Sequence, residues 1–438
     1  MEKEKKIKEL TTIPGYGYRY LILAGISLAY FYQTVYRYGM TPITKQLQAD
    51  LNLTMGQIGV LGSAFFYAYA FANLLWGYVV DKIGIRKTFT ISVALLTIIA
   101  TSFGFSPNYT IALLIRVLQG VAAAGIYVPG ARAASAWFTK AERGRAVGLF
   151  NSIGGLGQAF IQIALPVLIV SGFSFGPLTG WRAGWVVLSL PAICIVIFDW
   201  LVLRDKTEDK GLPPISEIDK RFMEAEVLRG RAEEKFVEMV SRPEVEIWDV
   251  IKSPFLWALC LAWVGYIASV RVGNFWAARY ALDAYGVGLI TAGAAGSLFA
   301  WGRFIGGPMS GWVADLTKYR WKIIAAGLIG MGVVIELFTV KLGIAFLSLM
   351  VFFMGIFLGF YVNVNAMPAE VWGVKTAGRA NGIINFCGQI AGAVFLSLSG
   401  YIQEWYGWSA VWHLCLAVAL LGVLGALYAR TTEMELKR

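Results

Sequence analysis

The sequence predicts an all-α membrane protein with twelve transmembrane helices in two pseudo-symmetric six-helix bundles. Three observations predict this class: an apolar composition, twelve apolar segments of membrane-spanning length, and an internal repeat. Of the 438 residues, 58% are hydrophobic and 15% are charged, against about 25% charged residues in ordinary soluble domains. A soluble chain of this size cannot bury so much apolar surface. The composition therefore excludes a soluble enzyme, a secreted disulfide scaffold and a disordered protein.

Twelve apolar segments have about the 20 residues that a helix needs to cross the hydrocarbon core of a bilayer. We number them spans 1 to 12, and they cover residues 18–40, 56–80, 88–106, 110–136, 146–171, 182–203, 254–281, 287–313, 322–340, 343–366, 377–401 and 408–429. They divide the chain into an N-terminal tail, a first bundle, a central loop, a second bundle and a C-terminal tail, at residues 1–17, 18–203, 204–253, 254–429 and 430–438.

The distribution of lysine and arginine predicts the orientation. The two tails, the central loop and the other connections on that side carry 29 of these residues, and the opposite side carries four. Because positive residues accumulate on the cytoplasmic side, we expect both termini and the central loop in the cytoplasm of a multi-pass cell-membrane protein. The net charge of +11 is thereby explained, and no nucleic-acid partner is expected. The four cysteines lie in apolar segments without metal-ligand spacing, so neither a metal nor a cofactor is expected.

The two halves of the chain share one register, 234 residues apart. The stretch Gly77–Asp81, followed by Arg86, recurs as Gly311–Asp315, followed by Arg320. The same offset relates further pairs: Arg37 and Arg271, Gly39 and Gly273, Tyr127 and Tyr361, Gly144 and Gly378, and Asn151 and Asn385. This register predicts two parallel six-helix repeats, and such repeats place a binding site between them near the midplane.

The connection between spans 2 and 3 resembles the signature loop of the major facilitator superfamily. It reads Gly77-Tyr-Val-Val-Asp-Lys-Ile-Gly-Ile-Arg-Lys87, and a degenerate copy follows span 8. The resemblance covers essentially the whole chain and implies a transporter whose two bundles rock around a central site. We expect six residues, called here the latch residues, to join the bundles on the cytoplasmic side and to release them: Gly77, Asp81, Arg86, Gly311, Asp315 and Arg320.

A narrower resemblance links the chain to the organophosphate:phosphate antiporters. The segment Asp205–Glu217 resembles the opening of their central loop, and Arg37 and Arg271 match their paired phosphate-binding arginines. The span 5 histidine of that family aligns with Gly154 here, and its span 2 lysine aligns with Asn73. These departures put phosphate itself in doubt. The run Leu53–Phe66 is also similar to the anion:cation symporters for organic acids, so carboxylates stay open as substrates.

The candidate binding residues centre on the two arginines. An arginine at the bilayer midplane costs roughly 2.5–3.5 kcal/mol on insertion scales, and two guanidiniums from symmetric positions suit a bidentate oxyanion. Arg303 in span 8 is a further candidate, since a span 8 arginine binds carboxylate or nitrate in several branches of the superfamily. Helical spacing and the repeat add Tyr30, Gln33, Asn274, Tyr127 and Tyr361. Arg116 has a coupling or a structural role, and Glu336 is taken as the one deep carboxylate.

The sequence therefore predicts a secondary transporter, not an enzyme, that moves a small organic anion, either a carboxylate or a phosphate ester, by alternating access. Exchange against phosphate or another anion and proton symport are the two coupling modes considered, and a monomer is expected. The rivals are a multidrug-type exporter of the same superfamily and a nitrate or inorganic-anion porter. A membrane-embedded solute sensor and a membrane enzyme are rivals from other classes.

Overall fold

A computed structural model describes residues 2–229, 245–317 and 319–436 of the chain. Within these residues the protein is almost entirely helical. The α-helices comprise Glu2–Thr11, Arg19–Tyr38, Thr44–Leu51, Met55–Ile83, Ile85–Ser102, Tyr109–Trp137, Lys140–Val170, Gly180–Ser189, Ala192–Val202, Ile215–Arg229, Ile247–Lys252, Pro254–Tyr285, Leu289–Thr317, Arg320–Glu336, Ile344–Gly359 and Val362–Leu436. Short 3-10 turns comprise Tyr16–Tyr18, Thr41–Ile43, Phe103–Phe105, Thr207–Lys210 and Leu337–Thr339. One hairpin pairs Ser174–Phe175 with Leu178–Thr179 in antiparallel fashion.

Nine helices in the described part of the chain are long and apolar enough to cross a membrane. The last of them, Lys375–Thr432, is interrupted by non-helical backbone at Gly407 and so contains two spans. The helices Arg19–Tyr38 and Leu289–Thr317 are less apolar, because the first carries two arginines and the second one, together with several small or hydroxyl-bearing residues. With these two, the described residues accommodate the twelve predicted spans. The predicted fold class, an all-helical membrane protein, is confirmed.

The connection between spans 2 and 3 shows why the chain turns where it does. Gly84 has φ +84°, a left-handed conformation that glycine adopts without steric cost. A Cβ atom at this position would lie 2.6 Å from the carboxylate of Asp205, which accepts a hydrogen bond of 2.7 Å from the backbone N–H of Arg86. The glycine therefore allows the tight turn and also the approach of the segment that follows span 6.

The chain ends of each six-span half lie on one side of the protein. The Tyr16 hydroxyl donates to the carbonyl of Trp137 at 2.8 Å, and the Trp137 indole donates to the carbonyl of Arg204 at 3.0 Å. In the second half, the backbone N–H of Val245 donates to the hydroxyl of Thr376 at 3.0 Å. We call this side the termini side and the opposite one the far side.

On the far side the two halves are in direct contact. The Ser63 hydroxyl of span 2 and the Ser397 hydroxyl of span 11 are hydrogen bonded at 2.6 Å. A Cβ atom at Gly59 would lie 3.0 Å from the carbonyl of Leu396, and one at Gly293 would overlap the carbonyl of Gln162. These two contacts are related by the 234-residue offset, because span 2 meets span 11 as span 8 meets span 5. Glycine allows both pairs of backbones to approach closely.

On the termini side the corresponding helix faces are apart. A Cβ atom would meet no neighbouring atom within 4 Å at the repeat-related glycines of spans 2, 5, 8 and 11, which are Gly77, Gly144, Gly148, Gly311, Gly378 and Gly382. The halves therefore form a cleft that is closed at the far side and open towards the termini side.

Candidate functional site

A cavity of about 150 Å³ lies between the two halves at the closed end of the cleft. Its polar lining comes from both halves and consists of Tyr30, Arg37, Tyr38, Tyr69, Tyr127, Asn151, Arg271, Asn274, Arg303, Tyr361, Asn365, Asn385 and Gln389. Seven of the eight predicted binding residues belong to this lining. The structure thus brings together side chains from spans 1, 4, 7, 8 and 10, and their binding role stays a prediction.

The paired arginines occupy different environments. Arg271 donates from Nη2 to the side-chain oxygen of Gln389 at 2.6 Å and from Nη1 to the Gln389 carbonyl at 3.2 Å. The Nε and Nη2 atoms of Arg37 are buried and have no hydrogen-bond partner. Both guanidiniums lie against the ring of Phe66, at 3.7 Å for Arg271 and 5.9 Å for Arg37. Arg271 is therefore held in place by Gln389, whereas Arg37 has N–H donors that are available to a ligand.

The position of Arg37 depends on Arg116. The Arg116 guanidinium is fully buried and donates to the carbonyls of Tyr36, at 3.1 Å, and Arg37, at 3.5 Å, at the end of span 1. It also donates to the Leu61 carbonyl of span 2 at 3.3 Å. The carbonyls of Tyr36 and Arg37 are in the last turn of the span 1 helix, where they lack intrahelical donors. Arg116 therefore joins spans 1, 2 and 4, and its contacts support the structural role among the two considered.

Aromatic packing shapes the first-half wall of the cavity. The Tyr30 ring stacks on Phe150 with centroids 4.6 Å apart and lies 5.6 Å from the ring of Tyr127. A Cβ atom at Gly154 would overlap the Tyr30 ring. The placement of Tyr30 therefore requires glycine at position 154, where the organophosphate antiporters carry a histidine.

Two amide side chains illustrate the difference between lining and packing. Asn274 lines the cavity, and its oxygen accepts a hydrogen bond of 2.8 Å from Gln158 of span 5, so this pair crosses from one half to the other. Gln33 is fully buried but does not line the cavity, and its amide donates to the Ala123 carbonyl of span 4 at 2.8 Å. Gln33 thus contacts the neighbouring helix in its own half, and its predicted binding role stays a prediction.

A second and larger space continues the cleft towards the termini side. This vestibule of about 510 Å³ lies between spans 5, 8 and 10 and has glycine-rich walls. Asn151, Arg303 and Tyr361 line both the cavity and the vestibule, whereas Arg37 and Arg271 line the cavity alone. Arg303 therefore stands at the boundary between the two spaces, close to the hydroxyl of Tyr361.

The electrostatic character of the cavity is uniformly positive. Its lining, as far as the structure describes the chain, holds three arginines and neither aspartate nor glutamate. The buried carboxylates lie elsewhere. Glu336 is paired with Nδ1 of His413 at 2.7 Å, between spans 9 and 12.

The expectation that Glu336 is the one deep carboxylate was wrong. Asp199 of span 6 is fully buried, and both of its carboxylate oxygens lack a hydrogen-bond partner. Asp199 packs against Gly25, where a Cβ atom would lie 2.6 Å from its oxygen. Its place within predicted span 6 is the signal that the sequence offers for this carboxylate.

The latch residues pair within their own halves. Asp81 is ion paired with Arg132 of span 4. The Arg86 guanidinium donates to the Trp200 carbonyl at 2.6 and 3.0 Å. In the second half, Arg320 donates to Glu370 at 2.8 Å and to the side chain of Asn363 at 3.0 Å.

The remaining three latch residues make no described contact between the halves. Gly77 and Gly311 have open space where a Cβ atom would be, and the side chain of Asp315 lies outside the described part of the chain. The predicted joining of the two halves by these residues stays a prediction.

Comparisons with known proteins agree with this architecture. The sequence model of the Major Facilitator Superfamily matches residues 26–293 and 272–438. The chain is 30% identical over 305 residues to the membrane sensor protein UhpC of Salmonella typhimurium, a match that covers 68% of this chain and 65% of that protein. It is 27% identical over 426 residues to a probable hexose phosphate transport protein of Chlamydia trachomatis, covering 93% and 90% of the two chains.

A solved structure shares the fold. The inward-facing crystal structure of a bacterial homologue of the human lysosomal transporter Spinster superposes with a TM-score of 0.74 and 15% sequence identity, covering 97% of this chain and 98% of that one. The sequence resemblance to the superfamily is confirmed, and relatives of the organophosphate type are among the matches. With twelve accommodated spans, a two-fold repeat and a matching family model along nearly its whole length, the chain belongs to the Major Facilitator Superfamily.

Proposed function

We propose that the protein is a secondary transporter that moves a small organic anion, either a carboxylate or a phosphate ester, by alternating access. The observation that carries this proposal is the cavity between the halves, lined by Arg37, Arg271 and Arg303 and by no described carboxylate. Partly buried guanidiniums without acidic partners are energetically costly, and an anionic ligand offsets that cost. A multidrug-type exporter of cations needs the opposite charge in its cavity, so this rival loses support.

The open termini side is proposed to face the cytoplasm. The asymmetry of lysine and arginine supports this orientation in the cell membrane, with both termini inside. Movement of the substrate then requires that the far side opens and the termini side closes, with the latch residues joining the two halves. The absence of acidic groups from the described cavity lining supports anion exchange over proton symport as the coupling mode, and we propose a monomer as the working unit.

Relatives support the substrate class. The matched relatives include a probable hexose phosphate transport protein. A probable sulfoacetate transporter of Cupriavidus necator is 26% identical, and the match covers 93% of this chain and 92% of that protein. Phosphate esters and small carboxylated acids both present oxyanions that the planar guanidinium binds in bidentate fashion. Inorganic anions such as nitrate are the remaining alternative within the same charge class.

The test is anion exchange in proteoliposomes. Vesicles with the purified protein are preloaded with phosphate, glucose 6-phosphate or sulfoacetate, and uptake of labelled phosphate or labelled glucose 6-phosphate is measured. We expect rapid exchange that Arg271→Lys lowers about 10- to 100-fold, because lysine keeps the charge but loses the bidentate geometry and its hydrogen bonds. Arg221→Lys, on the exposed helix after span 6, is the matched control and should exchange like the wild type.

A second candidate function is a solute sensor that binds an anion without moving it. The 30% identity to the membrane sensor protein UhpC favours it. The two functions separate in the same vesicles, because a sensor binds the anion, seen as a change in tryptophan fluorescence from Trp263 at the cavity wall, but shows no exchange. Exchange contradicts the sensor, and the absence of both binding and exchange for every anion contradicts both functions.

A further inference from the structure

We propose that the site binds a substrate with two separate anionic groups, one held between Arg37 and Arg271 and the other held by Arg303. This inference rests on the proposed anion-binding function and extends it from a single oxyanion to an anion with two separate anionic groups. It assigns Arg303 to the second anionic group and so makes that residue the determinant of substrate class.

The first anionic group lies at the end of the cavity that Arg37 and Arg271 line. Arg37 brings a buried Nε and Nη2 without a partner, whereas Arg271 is oriented by Gln389. The ring of Phe66 lies against both guanidiniums and gives this end of the cavity an apolar surface. Charge-assisted hydrogen bonds are stronger beside apolar surface than in open water, so one oxyanion satisfies this end of the site.

The second anionic group lies at the other end of the cavity, beside Arg303. Arg303 borders both the cavity and the vestibule, together with Asn151 and Tyr361, whereas neither of the paired arginines reaches the vestibule lining. An anionic group at Arg303 therefore lies at a different boundary of the space from the group between the pair. Asn151 and Tyr361 supply additional polar atoms at that boundary.

The charge balance favours more than one anionic group. Three arginines and no described carboxylate line the cavity, so a single monovalent oxyanion leaves two uncompensated charges in a partly dehydrated space. Uncompensated buried charge costs far more than paired charge. A substrate with anionic groups at both ends pairs all three guanidiniums and is favoured over its single-group analogue.

The experiment compares matched anions that differ by one anionic group. Binding of D-gluconate and D-glucarate, and of glycerol 3-phosphate and 3-phosphoglycerate, is measured on the purified full chain by tryptophan fluorescence and by thermal stabilisation. We expect the two-group member of at least one pair to bind about tenfold more tightly than its partner, which is the gain from one additional charge-assisted contact.

Substitutions of Arg303 test whether this residue binds the second anionic group. Arg303→Gln should remove the preference, because it should weaken binding of the two-group anion about tenfold more than binding of the single-group anion. Arg303→Lys should restore part of the preference, because it keeps the charge, and it also guards against a folding defect in the glutamine variant. Arg37→Gln should weaken both members of a pair.

The outcomes separate this inference from the proposed function. Equal binding of both members in both pairs, or equal weakening of both members by Arg303→Gln, overturns the two-group site but leaves anion binding intact when Arg37→Gln still weakens it. Such a result means that all three arginines surround one oxyanion. Failure of all four anions to bind overturns the two-group site and the proposed anion function together.

Discussion

Glycines line the interface between the two halves on both the far side and the termini side. They are packed against the opposite half on the far side and uncovered on the termini side. On the far side, a Cβ atom at Gly400 would lie 2.5 Å from the Met55 carbonyl of the other half. On the termini side of the same helix, a Cβ atom at Gly382 would meet nothing within 4 Å. The comparison teaches that small residues mark helix faces that can meet, and that only one set of these faces meets in this conformation.

The same difference between the two sides occurs in both halves, at positions 234 residues apart. The far-side glycines Gly59 and Gly62 correspond to Gly293 and Gly296, and all four lie within contact distance of the opposite half. The termini-side glycines correspond across the same offset and are uncovered in both halves. Because both repeats share each pattern, a movement that exchanges the two states can preserve the symmetry of the interface.

The largest expected effect comes from locking the far side. In a variant without the four native cysteines, Ser63→Cys together with Ser397→Cys should form a disulfide on oxidation, because the serine hydroxyls are 2.6 Å apart and disulfides need closely spaced Cβ atoms. Anion exchange in proteoliposomes should stop completely and return with dithiothreitol. The single Ser63→Cys variant under the same oxidation is the control. Undiminished exchange by the cross-linked protein contradicts a far side that must open.

A moderate effect is expected from Gly400→Ala. The added methyl group overlaps the Met55 carbonyl and should destabilise the closed far side by about 1–3 kcal/mol, as overpacking does. A cysteine at Ser63 should then react faster with a membrane-impermeant maleimide added from the far side. Gly382→Ala is the matched control on the same helix and should leave labelling unchanged. Equal labelling of both variants contradicts the assignment of Gly400 to the contact.

The smallest effect is expected from Asp81→Asn. The Asp81 and Arg132 pair is exposed to solvent, and exposed ion pairs contribute little to stability, so the temperature of unfolding should not change. The initial rate of exchange should fall severalfold, because Asp81 is a proposed latch residue that acts when the termini side closes. Glu217→Gln, which removes another exposed carboxylate paired with an arginine, is the control. An unchanged exchange rate in Asp81→Asn removes Asp81 from the latch.

Much of the site could be predicted from the sequence because lipid restricts what a helix can carry. Arg37, Arg271 and Arg303 were identified because an arginine within a span is energetically costly and is therefore expected to have a functional role. All three line the cavity. Gln33 was included on helical spacing alone, and spacing does not tell a residue that faces the cavity from one that bonds to the adjacent helix. Gln389 was missed because its contact with Arg271 joins residues 118 positions apart.

Sequence alone determined the membrane class, the number of spans, the repeat and the cationic character of the site. The repeat follows from matching residues at one offset. The other properties follow from local hydropathy and charge, because each segment in the bilayer must satisfy its own backbone and its lipid surroundings. The tertiary structure decided which helix faces meet, how Tyr30 fills the space above Gly154, and that the cleft is closed on one side only. Such properties depend on contacts between residues far apart in the chain, so no single segment encodes them.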